Sequence, residues 1–290
     1  MSGPAAMAIA TGVLLDASLK ATVWLGLGLL VGPRLRHAAD RHALHAVSLL
    51  TLPAWLWVAS ARGAEVAWDA PALALAWGLG ALASLLPLTV GLWRLARLPL
   101  TPVDRVGGVA VFTSPRVDGP LTWGWLRPRV VLPAMAWDPG AREAALAHEL
   151  AHVRRGDWLL HMLTWGVCAL FWFHPLVWLT WRRMGDQAEL AADDEAVAKG
   201  VPPSQLAAVL LGLASHRAPY SSLGAASSST ARRIRAVLDL RPRRASRWRA
   251  LALMAGALPL ALPTLGAWHP WTAAPETLTC QASPPPGLLP

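Results

Sequence analysis

Apolar positions in this chain fall into long uncharged runs separated by short polar stretches. Four of the runs stand out, at 43–61, 71–93, 158–181 and 250–268. Each approaches the roughly 20 residues that a helix needs to cross a bilayer. A fifth, at the N-terminus, is apolar over 1–15 and again over 21–31, interrupted by Asp16 and Lys20. These two stand four residues apart and face the same side of a helix, where they neutralise each other. The run over 158–181 carries His174 followed by Pro175, and a proline within a helix removes a backbone bond and bends the chain. A broken hairpin or an interfacial helix is expected there rather than a straight crossing. Between the runs the pattern changes. The β-branched segments VAVFTS (109–114) and RVVLP (129–133) are bounded by Gly and Pro and predict short strands. WDPGAREAALAHELAHVRRGD (137–157) predicts a helix of about four turns, with Asp138 as N-cap, Pro139 at its first position and Gly156 as its stop. GDQAELAADDEAVAKG (185–200) is rich in helix formers.

Composition agrees with a membrane setting. Of 290 residues, 54% are hydrophobic and 15% charged, against about 25% charged in an ordinary soluble domain. The net charge of +9 comes from arginine, since Lys20 and Lys199 are the only lysines. Arginines gather at 33–42, 93–105, 182–183 and 231–250 and are sparse at 61–70 and after Trp268. By the positive-inside rule, this predicts an external N-terminus, three spans within 1–93, a cytoplasmic region over 94–249, a final span over 250–268 and an external tail over 269–290. The N-terminal run lacks a basic start and exceeds a typical signal-peptide core, so it is expected to be a retained span. Several of the seventeen tryptophans, among them Trp93, Trp158 and Trp268, end apolar runs, where indoles favour the headgroup level. Cys168 and Cys280 fall on different sides of this topology, so no disulfide framework is expected. The eight arginines of RRIRAVLDLRPRRASRWR (232–249) precede a span and are better explained by topology and anionic headgroups than by nucleic acid.

The chemistry is concentrated at AHELAHVRRGD (147–157). On the predicted helix His148 and His152 are one turn apart and point the same way, at a separation suited to one tetrahedral metal ion. Glu149 is rotated by about 100° and lies beside the ion. Zn²⁺ suits two neutral imidazoles and a carboxylate with a fourth position open for water, whose proton Glu149 would accept and pass to the leaving amine. The third ligand is expected on a separate element. In AELAADDEA (188–196), Glu189 and Asp193 share a helix face, so Glu189 would reach the metal while Asp193 holds a ligand histidine by its other nitrogen. Asp157 is open to two roles, that of a similar partner or that of a cap on the next helix. His161 and His174, in apolar surroundings, are expected to be packed or hydrogen-bonded rather than to ligate. A strand edge near the metal, with Val130, Val131 and Gly124, is a candidate for holding an extended substrate, Gly124 allowing a bulge. Tyr220 and His216 are candidates to stabilise the oxyanion.

The sequence resembles the BlaR/MecR-type integral-membrane zinc metallopeptidases, a gluzincin-like family that includes the β-lactam-sensing antirepressor proteins. HELAH is followed by RRGD (154–157), FWFHPLVW (171–178) and the ExxxD arrangement of AELAADDEA, with SPRVDGPLTWGWLRPRVVLP (114–133) upstream. The resemblance implies a mainly α, multi-span helical bundle carrying a cytoplasmic zinc peptidase domain with a small β-sheet, in a bacterial inner membrane. It implies His148, His152 and Glu189 as ligands of one Zn²⁺, Glu149 as general base and Asp193 as support. The implied partners are a protein substrate, such as a transcriptional repressor, and the lipid bilayer, with no direct nucleic-acid contact. The large external penicillin-binding domain and its SxxK serine are not expected in a tail of about twenty residues, so direct β-lactam sensing by this polypeptide is not expected. The small, polar stretch HRAPYSSLGAASSSTA (216–231), with Ser221 and Ser222, reads as a mobile linker or a self-cleavage region. A housekeeping membrane protease and a non-catalytic scaffold with a structural metal remain the alternatives.

Overall fold

A computed structural model describes residues 3–54, 71–217 and 225–239. Helix α1 (Gly3–Val31) leads through a short 3-10 turn into α2 (Ala38–Leu50), and α3 covers Pro71–Ala96. Four strands follow, β1 (Thr101–Val106), β2 (Val109–Ser114), β3 (Leu121–Trp123) and β4 (Arg129–Pro133). The chain then forms α4 (Pro139–Arg155), α5 (Asp157–Leu170), α6 (Pro175–Ala198), α7 (Pro203–Arg217) and α8 (Ala225–Leu238). The molecule is thus mainly helical with one small mixed sheet. Residues 55–61 of the expected span over 43–61, the expected span over 250–268, the external tail, and Ser221 and Ser222 of the suggested cleavage region lie outside the described residues. The second half of the stretch read as a linker, from Ala225, is the first half of α8.

The sheet has the order β1-β2-β4-β3, with β2 and β4 parallel and the other two pairings antiparallel. This order corrects the expected substrate edge. Val130 pairs with Val111 on one side and Thr122 on the other, and Val131 with Phe112 and Leu121. Both valines are fully buried, and their strand has no free side to receive a peptide. The edge on the site's flank is β3. Gly124 forms no bulge either; it follows β3 with φ 94°, and a Cβ there would stand 2.8 Å from the carbonyl oxygen of Arg127. Only glycine accepts that turn without strain.

The zinc-motif helix α4 begins as its sequence dictates. The Asp138 carboxylate accepts the Ala141 N–H at 3.0 Å, and Pro139 occupies the first turn. Gly156, left-handed at φ 68°, ends the helix and turns the chain directly into α5. One face of α4, with Leu146, Leu150 and Val153, packs on Val109, Val111, Val130 and Leu132 of the sheet. Another face, with Ala144 and Ala145, meets α7 and α8 through Leu206, Leu210 and Val237. Alanines at these positions let the helices approach closely, and side-chain volume comes from the partner helices.

The run over 158–181 is divided. Helix α5 ends at Leu170, four residues turn the chain, and Pro175 opens α6. The two helices fold back on each other, with the His161 ring tilted against Trp181 at 4.5 Å and Trp165 edge-to-face with Trp181 at 4.8 Å between ring centroids. His174 precedes α6, and its Nε2 meets Thr22 Oγ1 of α1 at 3.1 Å. Helices α1, α2, α5 and α6 enclose a core of Trp24, Leu25, Leu49, Leu52, Phe171, Val177 and Met184. Helix α3 lies outside this core, joined to α5 through Trp165 Nε1, which donates to the Ser84 carbonyl at 3.0 Å. Among the described residues, α3 is the one helix long and apolar enough to cross a membrane, over Leu75–Ala96.

Candidate metal centre

Helices α4 and α6 bring three donor atoms to one point. His148 Nε2 and His152 Nε2 stand 3.2 Å apart, and Glu189 of α6 places Oε2 at 3.5 Å from the first and Oε1 at 3.6 Å from the second. Tetrahedral bonds of about 2.0–2.2 Å to nitrogen and oxygen would separate ligand atoms by about 3.3–3.6 Å. The two imidazoles are near that spacing, and Glu189 brings a different oxygen close to each, so the three side chains could hold one ion.

The other ring nitrogens are engaged from behind. His152 Nδ1 lies 2.8 Å from Asp157 Oδ2, so its N–H is donated there and the Nε2 lone pair faces the site. Asp157 does not cap α5 with its side chain. Its carboxylate also accepts Arg155 Nε at 3.0 Å, and Arg155 reaches His42 of α2 at 3.1 Å. His148 Nδ1 lies 2.8 Å from Asp193 Oδ1, off the direction of a good N–H bond, because Asp193 is drawn to Arg233. Two inward-facing Nε2 atoms at 3.2 Å repel each other unless a cation or proton lies between them.

Charge tells the same story. Glu149, Asp157, Glu189 and Asp193 surround the site with Arg155 and Arg233, leaving an excess of two negative charges to be balanced by a divalent ion. Without an ion the proton takes that place. Burial disfavours a charged His148, yet contacts with Asp193 and Glu189 outweigh it and hold the imidazole up at about 10. Burial likewise opposes ionisation of Glu189, but His148 and Arg233 hold it below the usual carboxylate range. Asp157 and Asp193 are lowered in the same way, by His152 and Arg155 and by Arg233 and His148.

Glu149 is buried beside the histidines, and its Oε2 accepts the Thr122 hydroxyl of β3 at 2.6 Å. The edge strand thus touches the residue expected to move protons. Gly124 ends that strand, whereas Val130 and Val131 serve the core beneath it.

Two site residues escaped the sequence reading. Thr122 carried no motif and reaches Glu149 only because β3 flanks α4. Arg233 was grouped with a basic run, yet its guanidinium donates to both Asp193 oxygens at 2.8 and 2.9 Å and stands 2.7 Å from Glu189 Oε2. The available signal was helical periodicity: Ile234 and Val237 turn into the core beside it. Tyr220 lies outside the described residues, and His216 is described in backbone alone.

A match to a known family falls on this region. Residues 103–235 match the family model described as BlaR1 peptidase M56. A regulatory protein BlaR1 of Bacillus licheniformis is 30% identical over 87 residues, covering 29% of this chain and 14% of that protein. Strands β2 to β4, both helices that carry the expected ligands, and Arg233 fall inside the matched segment, so the candidate site lies wholly in the region similar to the BlaR1 peptidase M56 family.

Proposed function

We propose that this protein is an integral-membrane zinc endopeptidase that cuts a repressor-like or membrane-associated protein on the cytoplasmic side, as one step of a signalling pathway. His148, His152 and Glu189 hold one Zn²⁺, and Asp157 and Asp193 keep the two imidazoles in place. When bound, zinc would supply Lewis acidity, polarising the scissile carbonyl and making water acidic enough to attack near neutral pH. Glu149 takes one proton from the attacking water as its oxygen bonds to the carbonyl carbon. It returns that proton to the leaving amine as the C–N bond breaks, so the enzyme ends unchanged. The Thr122 hydroxyl holds Glu149 in position for both transfers. An extended substrate would lie along the outer side of β3, where main-chain hydrogen bonds fix its register.

The observation that carries this reading is the convergence of His148, His152 and Glu189 next to a buried, hydrogen-bonded carboxylate. Membrane residence is supported by α3 and by the exposed apolar side chains of Leu27, Leu30, Leu75, Leu79, Leu82 and Leu86. The cytoplasmic orientation rests on the arginine distribution, and the regulatory substrate on the name of the BlaR1 relative. The test is direct. Detergent-purified protein should contain one zinc per chain and cleave fluorescein-labelled casein. Glu149→Gln should keep the zinc and lose activity by about a hundredfold or more. Metal-free wild-type protein after purification without chelators, or full activity in Glu149→Gln, would overturn the reading.

A further inference from the structure

The peptidase reading leaves open which group meets the negative charge that develops on the carbonyl oxygen. Donor bookkeeping at Arg233 narrows the choice. A guanidinium has five N–H groups in a fixed plane. Nε–H and one Nη2–H are spent on the two Asp193 oxygens, at 2.8 and 2.9 Å, which locks the plane. Nη1 stands 2.7 Å from Glu189 Oε2 as an ion pair. The remaining Nη2–H looks toward His148 Nε2 at 3.5 Å. With an ion on Nε2 that nitrogen would accept nothing, so this N–H would be left for another acceptor. Nη1 makes no hydrogen bond among the described residues. Nη1 and Nη2 of one locked plane therefore border Glu189 and His148, two of the three expected ligands.

The setting is suited to anion binding. The Arg233 side chain is 17% exposed, and its positive charge is secured by Asp193, which is 1% exposed. A fixed, partly desolvated cation acts more strongly on a developing charge than a mobile surface arginine does, because it needs no reorientation as the reaction proceeds. Helix α8 is held in place by Val237 and Ile234 against α4 and α7, and Arg232 adds an ion pair to Asp186 of α6 at 3.0 Å. The helix is thereby registered against the metal-ligand helix at two adjacent arginines.

We infer that Arg233 is a further catalytic residue, which donates from Nη1 and Nη2 to the oxyanion formed as water adds to the scissile carbonyl. This rests on the zinc endopeptidase reading and goes beyond it. The contrary role is also concrete: a guanidinium that merely occupies the cation's place would compete with zinc, and its removal would raise metal affinity and activity together.

Wild type, Arg233→Ala and Arg233→Lys are compared in detergent for zinc content, for hydrolysis of one quenched-fluorescent peptide taken from the casein digest, and for inhibitor binding by calorimetry. The inhibitors are a dipeptide phosphonamidate, which presents an anionic tetrahedral group, and a hydroxamate with the same side chains. Arg233→Ala should retain one zinc and lose about a hundredfold in kcat, with KM changed by less than about threefold. Phosphonamidate affinity should fall by about the same factor, hydroxamate affinity much less. Added methylguanidinium should restore part of the activity to Arg233→Ala. Arg233→Lys should keep its zinc and fall between the two. Activity within about threefold of wild type in zinc-loaded Arg233→Ala, a gain of activity, equal losses for both inhibitors, or losses in both variants that simply follow loss of zinc would each overturn the inference. A wild type without zinc or without Glu149-dependent cleavage would instead remove the reading beneath it.

Discussion

His148 and His152 turn their Nε2 atoms toward each other because each ring is engaged from behind by a carboxylate. This arrangement makes metal loading a competition with protons. In the metal-free protein His148 is held up at about 10, well above the 6.5 of a free imidazole, so a proton must leave as the ion enters. Apparent zinc affinity should rise about tenfold for each pH unit up to that value, provided His148 is the one proton displaced. A chelator-competition titration between pH 6 and 9 would reveal the slope, and a flat profile would contradict it. The sign for stability is opposite. A raised folded pKa stabilises the metal-free protein fully below about 6.5, and that contribution is lost as the pH rises through about 10. Thr122 offers a second test at this scale. Its hydroxyl donates to a charged acceptor at 2.6 Å, a bond of about 1.5–3 kcal/mol. Thr122→Val should lower kcat about tenfold or more while zinc content stays at wild-type level, measured by peptide hydrolysis beside elemental analysis.

At the scale of elements, the chain disclosed what is local and concealed what is distant. Helix α4 announced itself through Asp138, Pro139 and Gly156, and the one-turn spacing of His148 and His152 fixed their common face. Glu189 and Asp193 followed from the same periodicity on α6. Strands β2 and β4 occupy the ranges their β-branched runs predicted. Their order does not follow from local pattern: whether β4 is central or at an edge depends on which strands pair, and β3, three residues long, has too few positions to show alternation. Thr122 became a site residue only through that pairing. Arg233 was hidden for a different reason, because its charge served two explanations, topology and ion pairing, and only the packing of α8 selects the second. The cap on α4 can be tested alone. Asp138→Ala removes the acceptor for the Ala141 N–H and should cost about 1 kcal/mol of stability, read as a lower midpoint in chemical denaturation. His148 lies about three turns beyond the cap, so zinc stoichiometry should not change.

At the scale of the whole molecule, two surfaces call for different solvents. The sheet and its turns present arginines and the carboxylates of Asp104 and Asp118 to water, whereas α3 presents Leu75, Leu79, Leu82 and Leu86, each more than half exposed, with no charge before Arg94. No residue of its most apolar window is fully buried by the rest of the fold. A surface of that size in water would drive aggregation, while in hydrocarbon it is the expected exterior of a spanning helix. Trp77 and Trp165 donate across the α3–α5 contact to backbone carbonyls, giving the indole nitrogens partners where lipid offers none. The consequence can be read by thiol chemistry on membrane vesicles, with Cys280 replaced by Ser and Cys168 left buried. Leu82 is 66% exposed and Leu126, in the turn after β3, is 82% exposed, so in water both should react comparably when changed to cysteine. In the membrane, Leu82→Cys should label with a charged maleimide at least about tenfold more slowly than Leu126→Cys, because the thiolate that reacts does not form in hydrocarbon. Solubilisation in dodecyl sulfate should abolish the difference. Equal rates in intact vesicles would mean that α3 lies in water, and the peptidase would then have to hold its place at the membrane by other segments.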